Sequence, residues 1–142
     1  SRGLGDVYKR QALDLAVIKN KKRFIREESE DIKMAKKQTA GRDRLGTLAP
    51  KFAELNDDVL FGEVWSREEQ LSARDRSMIT IAALFSAGLY PQLKSHLALG
   101  KEHGITKEEA VEIVTQLAFY CGWPKAWSAF PLIQEIYEEE SK

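Results

Sequence analysis

What most constrains this chain is the helix punctuation of its carboxy-terminal half, where start and stop signals recur at roughly even intervals. Ser72-Ala-Arg-Asp75 places a hydroxyl three residues ahead of a carboxylate, the form in which a side chain accepts from a first-turn N–H that has no partner in the helix. Pro91 suits the first turn of the following helix, where a missing N–H costs nothing. Thr106-Lys-Glu-Glu109 is a capping box for a third helix, and Pro124 opens a fourth. Gly104 and Gly122 supply the stops, since glycine takes up the backbone conformations that end a helix.

Between these signals the apolar residues recur at helical spacing. Ser77 through Phe85 is apolar on nearly every side, which predicts a central, buried helix. Leu93, His96, Leu97 and Leu99 follow on the next helix, then Val111, Val114, Leu117, Ala118 and Cys121, then Ala126, Phe130, Ile133 and Tyr137. Upstream, Phe52, Leu55 and Val59 form an apolar face that ends near Gly62. Almost nothing alternates as a strand would. The fold expected is all-α, a compact array of about five to six helices counting an amino-terminal one.

At 142 residues, 43% hydrophobic and 31% charged, the chain has the size and apolar content of one ordinary domain. Lys plus Arg and Asp plus Glu each number 22, so there is no broad positive field of the kind a nucleic-acid partner needs. The longest nearly apolar run, Met78 to Phe85, is far shorter than the roughly 18 residues that span a bilayer, and no secretory signal opens the chain. A soluble cytoplasmic protein without membrane or nucleic-acid partners is the expectation. One cysteine provides for no intramolecular disulfide, no Cys-x-x-Cys pair and no multi-cysteine zinc site.

The zero net charge is unevenly distributed. Residues 1–38 hold 11 basic and 6 acidic side chains, residues 39–142 hold 11 and 16. The first part reads as a charged helical extension. Its stripe of Leu15, Ile18, Lys22, Ile25, Ser29 and Ile32 is thin and interrupted, and its Arg23/Glu27 and Arg26/Glu30 pairs are of the weak exposed kind. It reads either as a solvated helix or as one that docks on a partner subunit. Residues 1–11 resemble a translated sequencing-adapter remnant and carry no functional weight. Gly41, Gly46 and Pro50 then punctuate a polar hinge into the main domain, 39–142.

Few residues offer chemistry. His96 and His103 lie seven apart on one helix, without the His-x-x-x-His or Glu-x-x-His spacing of a metal site, so no metal is expected. Cys121 falls on an apolar stripe, the setting of an inert thiol. Polar groups among aromatics remain: Glu63 and Trp65, Arg74 and Arg76, His96, Tyr120, Trp123 and Trp127, a mixture suited to a small organic anion. Each has a structural reading beside the functional one. Glu63 reads as a surface carboxylate or a site residue, His96 as a packed core histidine or a proton carrier. Arg74 and Arg76 stand in a first helical turn, where positive charge opposes the helix dipole. That placement points to a salt bridge with Asp75 or Glu63, favoured for at least one of the two, or to an anion site.

From Thr39 onward, and most specifically in Gly62-Glu-Val-Trp-Ser-Arg67, Leu71-Ser-Ala-Arg-Asp-Arg-Ser77, His96-Leu97, Gly104-Ile-Thr106 and Phe119-Tyr-Cys-Gly-Trp-Pro124, the chain resembles the carboxymuconolactone decarboxylase family. The resemblance implies an all-helical domain that assembles into a homo-oligomer, a trimer or hexamer. It also implies one of two chemistries. One branch decarboxylates a lactone of aromatic catabolism without a cofactor; the other, of the alkyl hydroperoxide reductase D type, reduces peroxides through a Cys-x-x-Cys and a downstream histidine. His96 stands where the peroxidase branch has its histidine, but no Cys-x-x-Cys precedes it.

The lactone chemistry is therefore the expectation, on a small anionic substrate of the 4-carboxymuconolactone kind. His96 would donate the proton, Glu63 would orient or recharge it, and Arg74 or Arg76 would anchor or polarise the substrate. Trp65, Tyr120 and Trp123 would wall the pocket. Gln116 stands where decarboxylases of the family typically have histidine; its amide can hydrogen-bond but cannot transfer a proton. The alternatives are a thiol-dependent peroxidase and a non-catalytic oligomeric protein that binds small anions.

Overall fold

The computed structural model describes the backbone of residues 2–35 and 38–138 and the side chains of 3–27 and 38–138. Within them are seven α-helices and a π-helical segment, and no strand. The all-α expectation holds, with a helix count slightly above the one read from the sequence because two short helices lie in the stretch taken as a hinge and its sequel. The chain divides into two compact units, residues 1–62 and 63–142.

In the first unit, α1 (Arg2–Ala35) leaves every described side chain exposed, Leu15, Ile18 and Ile25 included. That is the outcome of a stripe too thin to bury. Arg23 Nε donates to Glu27 at 2.8 Å, as its spacing suggested, while the Glu30, Ser29 and Ile32 side chains lie outside the described residues. The short helices α2 (Ala40–Leu45) and α3 (Pro50–Glu54) follow, and α3 continues as a π-helix over Leu55–Val64.

Asp57, on the π-helical turn, is fully buried and joins these pieces. Its carboxylate accepts from the backbone N–H groups of Gly41 at 2.9 Å and Arg42 at 3.0 Å and from the Asn56 amide at 2.9 Å. It thereby caps α2, whose own preceding residue, Thr39, makes no side-chain cap. A Cβ on Gly41 would stand 2.6 Å from Asp57 Oδ1, so only glycine admits the carboxylate. Burial pushes the Asp57 carboxyl up, but the Asn56 amide, the two N–H groups and the Arg42 charge together hold it below the usual carboxylate range. The apolar face read from Phe52, Leu55 and Val59 does not close on a core here, since these residues are 60%, 46% and 37% exposed. Their helix ends near Gly62, as expected, its last residues wound as a wider π turn that runs to Val64.

In the second unit, α4 (Ala73–Ala87), α5 (Tyr90–Glu102), α6 (Lys107–Cys121) and α7 (Trp123–Glu138) form a bundle in which α4 meets each of the other three. The local signals act as read. Ser72 Oγ accepts from Asp75 N at 3.0 Å. Thr106 Oγ1 accepts from Glu109 N at 3.1 Å while the Glu109 carboxylate accepts from Thr106 N at 3.0 Å, completing the capping box. Pro91 lies in the first turn of α5, and Gly122 caps α6 at φ 111°.

The core is built from Ile81 and Phe85 of α4, Leu93 and Leu97 of α5, Val114 of α6 and Ile133 of α7. Only one face of α4 is buried, in contrast to the expectation for a helix apolar on nearly every side: Ile79 is 59% exposed. The three other helices of the unit cover one face, and none is left to cover the other. Gly100, buried on α5, sets the closest approach to α4, because a Cβ there would stand 3.0 Å from Ile81 Cδ1 and 3.1 Å from Ile105 Cδ1.

Candidate active site

His96 lies one turn of α5 after Leu93 and is half-buried, with its imidazole stacked on the Trp65 indole at 6.2 Å between ring centroids and 26° between planes. Its Nδ1 is buried and has no hydrogen-bond partner among the described residues. Burial holds the imidazole below its ordinary value, with no charged neighbour contributing, so the ring is neutral at pH 7.

Trp65 touches a second imidazole. His103 packs against the same indole at 5.7 Å with a 37° tilt, and its Nδ1 lies 2.7 Å from the Ser77 hydroxyl. Ser77 is fully buried on α4, opposite Gly100. In the sequence His103 offers only half of a metal pair that lacks the right spacing. The signal that could have placed it is its spacing from His96, since seven residues is close to two helical turns and sets both rings on one face of α5. No group of His, Cys, Asp and Glu among the described residues is arranged to hold a metal ion.

The other expected site residues lie elsewhere. Arg74 Nη2 pairs with the Glu109 carboxylate, so the bridge expected of the two arginines forms with a capping residue and not with Asp75 or Glu63. The Thr106 N–H, with Arg74 after it, holds the Glu109 carboxyl below the usual range. Arg76 donates from Nε to the Leu71 carbonyl at 3.1 Å and from Nη2 to the Arg67 carbonyl at 3.0 Å, closing the turn before α4. Glu63 is exposed, and its carboxylate has no hydrogen-bond or ion-pair partner among the described residues. Gln116 and Tyr120 are exposed on α6. Trp123, 59% exposed, packs edge-on to Phe119 at 6.1 Å. Of the eight, Trp65 and His96 are brought into ring contact among the described residues. Cys121 is a free thiol, half-buried against the core as its apolar stripe implied.

A separate groove of about 360 Å³ runs between α6 and α7, bounded by Ala118, Trp123, Trp127, Phe130 and Pro131. Pro131, inside α7, withholds the N–H that the Trp127 carbonyl would otherwise receive. None of the residues lining this groove is charged, so it offers no counter-charge to an anion.

The fold and these contacts define an all-α protein in which one helix presents two imidazoles to a single indole. A family model described as the carboxymuconolactone decarboxylase family matches residues 50–135, and the chain belongs to that family. It is 34% identical over 97 residues to a 4-carboxymuconolactone decarboxylase of Acinetobacter baylyi, covering 68% of this chain and 72% of that one. It is 31% identical over 87 residues to an uncharacterised 15.0 kDa protein of Paracoccus denitrificans, covering 60% and 64% of the two chains. With peroxisomal protein 2 of Schizosaccharomyces pombe it shares 35% identity over 73 residues, 49% of this chain and 34% of the other. No described helix is long and apolar enough to cross a membrane.

Proposed function

We propose that this protein is a cofactor-independent carboxy-lyase that decarboxylates a small lactone carboxylate of the 4-carboxymuconolactone kind in aromatic catabolism, working as a homo-oligomer in the cytoplasm. The observation that carries the reading is His96, an imidazole held neutral by burial against Trp65, with one ring nitrogen sealed from any partner and the other left for a ligand.

The chemistry needs little from the protein. In such a lactone the departing carboxylate is vinylogous to the ring carbonyl. As the C–C bond breaks, its electron pair passes through the ring double bond to the carbonyl oxygen, and carbon dioxide leaves a dienolate. A proton added to the carbon next to that carbonyl then gives the unsaturated lactone product. An anion arriving beside His96 favours the imidazolium, so Nε2, the nitrogen left for a ligand, takes up a proton on binding and returns it to carbon in the second step. The ring is then neutral again, ready to take its next proton from solvent when substrate binds. Trp65 excludes solvent from one side, and a drier site strengthens every electrostatic contact with the dienolate.

Glu63, Tyr120, Trp123 and Gln116, all exposed in the single chain, are available to complete the pocket from a neighbouring subunit. Purified protein should release carbon dioxide from 4-carboxymuconolactone, and His96→Ala should slow that release by about a hundredfold or more. A folded wild-type protein inert on this lactone and on related ones would refute the reading. In that case the non-catalytic anion-binding alternative would be favoured.

A further inference from the structure

We infer that His103 is the anchor for the carboxylate the substrate keeps, and that Ser77 sets His103 to donate from Nε2. The identity of the ligand rests on the decarboxylase reading; the two-imidazole geometry does not.

The anchoring role has no other occupant within this chain's site. Arg74 is engaged by Glu109, and Arg76 by two backbone carbonyls. What stands beside the His96–Trp65 pair is a second imidazole. Two helical turns separate the histidines by a rise of about 10 Å, and the Trp65 indole fills that interval, 6.2 Å from one ring and 5.7 Å from the other. A flat ring lying along the indole edge would meet His96 at one end and His103 at the other. Neither imidazole has an ion-pair partner among the described residues that would compete with an anion.

Ser77 explains how His103 is prepared. A serine with no solvent exposure, on a helix whose neighbours there are Ile81 and Gly100, costs stability unless its hydroxyl hydrogen is bonded. The group within reach is His103 Nδ1 at 2.7 Å. The reverse polarity, Nδ1–H donating to the hydroxyl, would leave the buried O–H with no acceptor among the described residues. With Nδ1 accepting, a neutral His103 carries its proton on Nε2 and offers that N–H to a ligand. Ser77 is thus a positioning residue acting through His103. The helix end does not need the His103 side chain, since its backbone N–H makes the capping bond to the Leu99 carbonyl.

The test joins histidine-selective nitrogen-15 NMR of the full chain to steady-state kinetics. The nitrogen-15 shifts of wild-type protein should place the His103 proton on Nε2, and Ser77→Ala should lose that preference. Muconolactone keeps the lactone and the acetate arm but has no carboxylate to lose. It should shift His96 and His103 together, with one saturation curve. With 4-carboxymuconolactone, His103→Asn, which keeps a partner for Ser77 but removes the Nε2 donor, should raise KM about ten- to hundredfold, as expected for losing a hydrogen bond to a charged group. Its kcat should stay within about threefold, because that bond is equally present in the transition state. His103→Gln, with a donor near the Nε2 position, should recover part of the loss.

A His103 proton on Nδ1, an unchanged KM in folded His103→Asn, or muconolactone saturating His96 while His103 stays still would each overturn the proposal. If the wild type does not turn over the lactone, the decarboxylase reading fails by itself. The muconolactone titration then decides this one: shifts at both rings uphold a carboxylate site, and no shift at His103 ends it. The same titration decides if His103→Asn does not fold.

Discussion

Gly100→Ala is the sharpest probe of how α5 is seated on α4. The added methyl carbon would stand 3.0 Å from Ile81 Cδ1, 3.1 Å from Ile105 Cδ1 and 3.7 Å from Ser77 Cβ. Carbon atoms rest about 3.5–4.0 Å apart, so two isoleucine tips must each retreat by about half an ångström or more. Neither has room, being 1% and 2% exposed inside the core. Overpacking of this kind costs about 1–3 kcal/mol. Against it stands the preference for alanine over glycine inside a helix, about 0.8–1.0 kcal/mol. The crowding wins, and the expected net loss is about 1 kcal/mol.

Urea unfolding should show this as a lower midpoint at an unchanged slope. Ile81→Val or Ile105→Val removes the offending Cδ1 at its own cost of about 0.5–1.5 kcal/mol. Each valine should relieve part of the clash, so double mutants with Gly100→Ala should be more stable than the sum of the singles by about 0.5–1 kcal/mol. A stabilised Gly100→Ala, or strict additivity with both valines, would refute the close-packing argument. Because the methyl also presses toward Ser77, the His103 ring resonances should move in the same variant.

Four further outcomes are expected. Because burial holds His96 below its unfolded value, the unfolded chain takes up the proton first, and stability should fall as pH drops through about 6.5 toward the folded value; His96→Phe should flatten that part of a pH series of unfolding midpoints. Asp57 is shifted the opposite way to an isolated buried carboxyl, so its contribution is present above about pH 3.9 and is lost as pH falls through its lower folded value. Asp57→Asn should abolish that dependence and speed amide hydrogen exchange at Gly41 and Arg42. Thr106→Ala removes half of the capping box and should cost about 1 kcal/mol, read by thermal or urea unfolding. Cys121→Ser should leave any slow peroxide consumption unchanged; a loss of it would revive the thiol-peroxidase alternative.

Much of the second unit was legible in advance because its signals are local. Ser72 with Asp75 and Thr106 with Glu109 bond across three residues, and Leu93 and Leu97 or Val114 and Ala118 share a face by helical period alone. Around Asp57 that reasoning stopped, since the wider π turn breaks the 3.6-residue period and the carboxylate bonds Gly41 sixteen residues away. The arginines show the same limit. The dipole argument found them out of place, yet their partners were a capping carboxylate 35 residues on and a turn whose carbonyls carry no sequence signature.

The sequence by itself determined the all-helical class, the starts of α4 to α7 and the stops of α5 and α6, the family and the candidacy of His96 and Trp65, all of which depend on near neighbours or on motifs read in order. Only the tertiary structure decided that His96 and Trp65 touch, that the arginines expected to anchor the substrate are engaged elsewhere, and that a serine on α4 and the histidine capping α5 form a part-buried bond 26 residues apart. The physical reason is that a side chain's partner across a helix interface is chosen by how closely the backbones approach. At Gly100 that approach is set by the absence of a single methyl group.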